Sequence, residues 1–298
     1  MDQYNFLGIP DVSLKKARFL ILPIPFEATT SCLAGTKDGP SSIIASSNYV
    51  ELYDEELKAE PYLVGVKTLP EVPPNYKSIK QMVADIKKAS TKYLKENKRI
   101  IGLGGEHTVS LGLVESCLST YPNLKVLSFD AHSDLRDQYQ GTKFSHACVM
   151  RRISELGCKI WTAGVRSISK EEQDFINQTD TIKILFAYQM AEKWGEVLNK
   201  MLPAGNYYLS FDLDFLDPSI LPETGTPEPG GFYWNQTIGF FRQFVLRKDI
   251  NIVGFDVVEL APQKNVTPSS FLAAKLIYKL IGLLAVKDNL LSDTMDIG

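Results

Sequence analysis

The sequence predicts an α/β protein, a parallel sheet with helices on both faces in a three-layer α/β/α arrangement. Two observations carry this. Short apolar runs alternate with helix-period segments along nearly the whole chain. Several of those runs end directly on acids and imidazoles, and the strand ends of an open parallel sheet are where ligand-binding groups gather.

The first run, Ala17 to Ile24, reads as a buried strand ending near Pro23 and Pro25. A loop from Phe26 to Gly39 follows. Pro40 suits the first turn of a helix over about Ser41 to Tyr49. The proline-rich stretch Leu69 to Pro74 reads as a connector. Ser78 can cap the next helix, in which Ile79, Met82, Val83 and Ile86 share one face. Further strands are expected near Arg99–Leu103, Leu124–Phe129, Lys159–Ala163, Ile182–Phe186, Tyr207–Phe211 and Ile252–Phe255. Helical patterns lie between them, near His107–Ser119, His146–Leu156, Lys170–Asn177, Gln189–Lys200 and Gln236–Leu246. The last helix, about Ser269 to Val286, is apolar almost all round, so it should be buried in the core or at a subunit contact. No internal repeat or low-complexity tract breaks the chain, and a single domain over residues 1–298 is the economical reading.

Composition narrows the function classes. A net charge of −3 gives no basic footprint, so nucleic acid is not an expected partner. No apolar run is expected to reach the ~18 residues of a membrane helix, since Gly282 interrupts Leu280 to Val286. Residues 1–10 lack a basic stretch followed by an apolar one, and the four cysteines include no C-x-x-C pair. A cytoplasmic protein with reduced thiols is expected.

The chemistry lies at the strand ends. Gly104-Gly105-Glu106-His107 follows one strand and Asp130-Ala131-His132-Ser133-Asp134 the next. Asp212-Leu213-Asp214 follows a third, and Asp256-Val257-Val258-Glu259 a fourth. Parallel strands end on one side, so these groups converge. Asp130, His132 and Asp134 recur with period two, which puts them on one face of an extended segment. Asp130, Asp134, Asp212 and Asp214 with His107 and His132 are too many ligands for one four- or five-coordinate ion. They suit two ions if some carboxylates bridge. An oxygen-rich set with one imidazole per ion favours Mn²⁺, with Fe, Co, Ni or Zn as alternatives. Mg²⁺ or Ca²⁺ alone would seldom need histidine.

Blander readings exist for single pieces. Asp212-x-Asp214 alone could be exposed acids, Glu106 could brace its loop, and Glu259 could be a helix-start charge. Thr224 to Gly231 could be a rigid turn. The glycines at 102–105 do not complete a dinucleotide fingerprint, and no serine sits in a nucleophile elbow. A two-metal phosphohydrolase would need a Gly-Asn-His-Asp/Glu motif that the chain lacks.

Gly104-Gly105-Glu106-His107, Ser128-Phe129-Asp130-Ala131-His132-Ser133-Asp134 and Ser210-Phe211-Asp212-Leu213-Asp214-Phe215-Leu216-Asp217-Pro218 resemble the three signatures of the ureohydrolase family, which includes arginase and agmatinase. The resemblance runs from Pro25-Phe26-Glu27 to Ala273–Leu276. It implies an eight-stranded parallel sheet, a trimer or hexamer, and hydrolysis of a guanidino compound. It also implies one Mn²⁺ on His107, Asp130, Asp134 and Asp212, and a second on His132, Asp130, Asp212 and Asp214. Asp134 would handle a proton, His146 would match the family's proton shuttle, and Glu259 the acid that pairs with the guanidinium. The loop Leu135 to Ala147 departs from the arginase pattern and looks like the agmatinase branch, which points to agmatine. Arg136 keeps guanidinobutyrate and arginine in play, and aminopropylagmatine would differ only in pocket length. A non-catalytic binding or scaffold protein is the competing class, although such a protein would be expected to lose ligands and none of the six is missing.

Overall fold

In the computed structural model, which describes residues 4–94, 98–190 and 194–291, eight strands form one sheet. They are β1 (Phe19–Ile24), β2 (Val66–Thr68), β3 (Arg99–Gly104), β4 (Lys125–Phe129), β5 (Lys159–Val165), β6 (Ile182–Phe186), β7 (Gly205–Asp212) and β8 (Ile250–Val258). Every pairing is parallel, in the order β2-β1-β3-β8-β7-β4-β5-β6. The expected fold class and the strand number implied by the resemblance both hold. β2 is the one strand the sequence pattern does not reveal, because three residues at a sheet edge are too few to show a period.

Among the described residues eight α-helices accompany the strands: α1 (Gly39–Ser47), α2 (Ile79–Leu94), α3 (Val109–Leu118), α4 (Val149–Glu155), α5 (Lys170–Ile176), α6 (Trp194–Met201), α7 (Trp234–Val245) and α8 (Pro268–Lys287). Alternating strand residues divide the core between the two faces. Phe19, Ile21, Leu127 and Phe129 join α1, α7 and α8 on one side. Leu20, Leu22 and Val126 join α2, α3 and α4 on the other. Phe129 sits opposite Phe211 in the β4–β7 register, and their rings stack at 5.4 Å. Phe215 and Phe241 close edge-on against Phe129 at 5.3 and 5.0 Å. That aromatic knot lies directly beneath the next residue of each strand, which is Asp130 in one case and Asp212 in the other.

Some boundaries move. The helix expected from His107 starts at Val109, and His146 opens a short 3-10 turn before α4. Gln189 lies in a 3-10 turn and α6 starts only at Trp194, with residues 191–193 outside the described set. α8 corrects the expectation that no segment reaches membrane-helix length: its twenty residues are long and apolar enough. However, 78 % of its apolar window is buried, and it packs against α1 and α7. Its apolarity is spent on the core. Thr267 caps its start with Pro268 in the first turn.

Candidate metal centre

The strands β3, β8, β7 and β4 are adjacent, so their carboxyl ends form one edge. All six expected ligands gather there. His107 follows β3 through Gly104 and Gly105. A Cβ on Gly105 would stand 2.0 Å from the Phe26 carbonyl oxygen, so only glycine allows the 26–31 loop this close. Asp130, His132 and Asp134 follow β4. Asp212 ends β7, and Asp214 stands in a 3-10 turn that the Asp212 side chain caps by accepting from the Asp214 N–H at 2.9 Å. β8 continues to Val258, so Asp256 lies inside the strand and Glu259 alone takes the strand-end place expected for both.

His107 is fully buried, and its Nδ1 faces three carboxylate oxygens. Oδ2 of Asp134 lies at 3.0 Å, and Oδ2 of Asp130 and of Asp212 at 3.3 Å each. None of these contacts has hydrogen-bond geometry, so Nδ1 of His107 and Oδ2 of Asp130 are buried without a hydrogen-bond partner. Nearby, His132 Nδ1 stands 2.8 Å from Asp214 Oδ2 and 3.7 Å from Asp130 Oδ1. Two sets therefore have metal-holding spacing: His107, Asp130 and Asp212, and Asp130, His132 and Asp214. Asp130 belongs to both. Asp134 stands beside the first through its contact with His107.

The electrostatics describe a cluster short of positive charge. Burial, then the charges of Asp134 and Asp214, push the Asp130 carboxyl up to about 8. Burial lifts Asp212 well above the ordinary carboxylate range, reinforced by Asp214 and Asp130. Burial works the same way on Asp214, but His132 beside it pulls that carboxyl down to about 2. Divalent cations would replace the protons that Asp130 and Asp212 otherwise retain.

Other groups hold the centre in place. Nε2 of His107 lies 2.9 Å from Ser210 Oγ, and Ser210 donates to Asp256 Oδ1 at 2.9 Å. Tyr208 donates to Asp256 Oδ2 at 2.7 Å. With its one proton given to Asp256, Ser210 accepts from His107 Nε2–H, which leaves Nδ1 with a bare lone pair aimed at the carboxylates. Glu172 in α5 accepts from Ser133 Oγ at 2.6 Å and from Leu135 N at 2.9 Å, fixing the β4 loop. Arg166 donates to the backbone oxygens of Asp214 and Glu228, tying the Asp214 turn to the Thr224–Gly231 loop. None of these supporting roles is evident from sequence spacing, although Arg166, just past β5, was open to the same strand-end rule. Glu106 does brace its loop: Oε2 accepts from the N–H groups of Ala28 and Thr29 at 2.6 Å each.

Glu259 Oε1 accepts from His107 N at 2.6 Å and lies 3.6 Å from His146 Nδ1. Burial disfavours the His146 cation, but Glu259 raises the imidazole to about 9. Asp134 and Glu259 both have positive φ, 51° and 64°, a conformation costing about 1–3 kcal/mol in a non-glycine residue. A cavity of about 170 Å³ joins Asp134, His146 and Glu259 to Ser31, Arg136, Tyr139 and Thr226. Arg136 lies over the Tyr139 ring, 5.1 Å from its centroid. A larger surface groove of about 900 Å³, between α2 and residues 69–77, touches none of these groups.

Fold and site together define a three-layer α/β protein with a buried carboxylate–imidazole cluster able to hold metal. The sequence matches the arginase family over residues 17–282, and the chain belongs to that family. It is 34% identical over 278 residues to N(1)-aminopropylagmatine ureohydrolase of Synechocystis, covering 91% of this chain and 90% of that one. It is also 34% identical to the agmatinase of Pyrococcus horikoshii, over 94% of this chain and 96% of that protein. The crystal structure of agmatine ureohydrolase of Thermoplasma volcanium superposes with a TM-score of 0.82 at 27% identity, covering 93% of this chain and 94% of that one. The chain is thus an agmatinase-like ureohydrolase of the arginase family.

Proposed function

We propose that the enzyme hydrolyses a guanidino amine to urea and a polyamine, with agmatine or its N1-aminopropyl form as substrate. The observation that carries this is the unpartnered His107 Nδ1, facing three carboxylate oxygens at 3.0–3.3 Å. A buried donor set of that kind fits a divalent cation. His107, Asp130, Asp134 and Asp212 would hold one Mn²⁺, and His132, Asp130, Asp212 and Asp214 a second. When bound, the ion pair supplies water acidified to a pKa of about 7 as the nucleophile.

The chain's own residues do the rest. The Glu259 carboxylate holds the guanidinium by charge-assisted hydrogen bonds and orients its carbon. Asp134, at the cavity wall, takes the proton from the attacking water and delivers it to the leaving amine nitrogen. His146, 12 % exposed at its side chain, relays protons between the cavity and solvent. Urea and a protonated amine result. Agmatine gives putrescine, and the aminopropyl form gives the longer polyamine. The names of the Synechocystis and Pyrococcus relatives support both tails. Arg136 on the cavity wall favours guanidinobutyrate as a second reading, because its cation would suit a carboxylate tail. A trimer or hexamer in the cytoplasm belongs to the same proposal.

The test is urea release from agmatine, N1-aminopropylagmatine, guanidinobutyrate and arginine, measured in parallel with Mn²⁺. The amines should be turned over fastest. Preference for guanidinobutyrate would move the assignment to the second reading, and no urea from any of them would overturn it.

A further inference from the structure

We propose that Glu106, acting through the hydroxyl of Thr29, is a positioning residue for His146; the catalytic consequence rests on the proposed hydrolysis. Glu106 is fully buried at the end of β3. Such a carboxylate needs donors, and the 26–31 loop supplies three: the N–H groups of Ala28 and Thr29 and the Thr29 hydroxyl, the last at 2.8 Å. Thr29 gives its hydroxyl proton to Glu106 Oε1. The same oxygen accepts from the backbone N–H of His146 at 2.9 Å.

This bond joins residues 117 apart in sequence and ties His146 itself to the β3 side of the site. The tethers of the neighbouring turn run elsewhere, from Met150 and Arg151 N–H to the Asp134 carbonyl and from Arg136 N–H to that of Ala147. Among the described residues the imidazole itself has only an ion pair with Glu259 and an edge contact with the Tyr139 ring, 6.4 Å between centroids. Its Nε2 is buried without a partner, and its Nδ1 stands 3.6 Å from Glu259. With no close hydrogen bond of its own, the ring takes its place largely from its backbone, which Thr29 and Glu106 tie to the β3 side. A relay group must meet its proton partners within a narrow range, so a small displacement costs rate more than binding.

The experiment compares Thr29→Val, which keeps shape and loses the hydroxyl, with Thr29→Ser, which restores it, both loaded with Mn²⁺. Thr29→Val should lower kcat about 10- to 100-fold with KM and metal content unchanged. Thr29→Ser should recover most of that loss, and added imidazole should recover part of it in Thr29→Val alone. A second readout needs no turnover. The chain has three histidines, and diethyl pyrocarbonate labelling read by mass spectrometry resolves each. His146 should be modified faster in Thr29→Val and in Glu106→Gln than in the wild type. Unchanged kcat together with unchanged His146 labelling would overturn the proposal. So would a loss in Thr29→Val that Thr29→Ser does not restore. Wild-type protein that releases no urea would defeat the functional reading, while the labelling rates would still judge the positioning.

Discussion

At the scale of single residues, Asp130 is the one acid shared by both metal-spaced sets. Its Oδ1 also accepts from His132 N at 2.6 Å, so it shapes the loop that carries the second imidazole. Asp130→Ala should lose both metals, and turnover should fall more than about 10³-fold, with metal content read by mass spectrometry. A metal-replete, active variant would remove the bridging role. Glu259 makes a different prediction. In Glu259→Gln the amide oxygen can still accept from His107 N, so the metals should stay while kcat/KM falls at least about 10²-fold. At this scale the ligands were legible in the sequence because period-two spacing and strand ends mark them. Glu172 and the supporting roles of Ser210 and Asp256 were not, because their partners lie 37 to 103 residues away and only the fold brings them together.

Elements hold that site through a few backbone approaches. Gly105 lets the 26–31 loop pass against β3, so Gly105→Ala should destabilise the protein by about 1–3 kcal/mol or more, seen as a lower unfolding midpoint. Glu172 serves two elements, capping α5 with Ser169 and bracing the β4 loop at Ser133 and Leu135. Removing it in Glu172→Ala leaves buried donors unsatisfied and should cost about 2–4 kcal/mol, with metal affinity falling as well. The helix near Lys170–Asn177 was expected from its pattern, but neither role of Glu172 was. Strand and helix periods located nearly every element. They failed where an element is three residues long, as in β2, and where a strand continues into polar residues, as β8 does through Asp256.

For the whole molecule, the sheet order explains why these residues meet. Chain order leaves a gap between β3 and β4, and β8 and β7 fill it, so four loaded strand ends become neighbours. Alternation of strands and helices predicted a parallel sheet, but it did not give this order. The strand count came from the resemblance. A buried centre this rich in acids links stability to metal, so chelation should lower the unfolding temperature and Mn²⁺ should restore it. The most direct test of the two-metal reading is urea release from agmatine and N1-aminopropylagmatine as Mn²⁺ is titrated into chelated protein. Activity should rise to a plateau at two equivalents per chain. Full activity at one equivalent, or no urea at any stoichiometry, would contradict it.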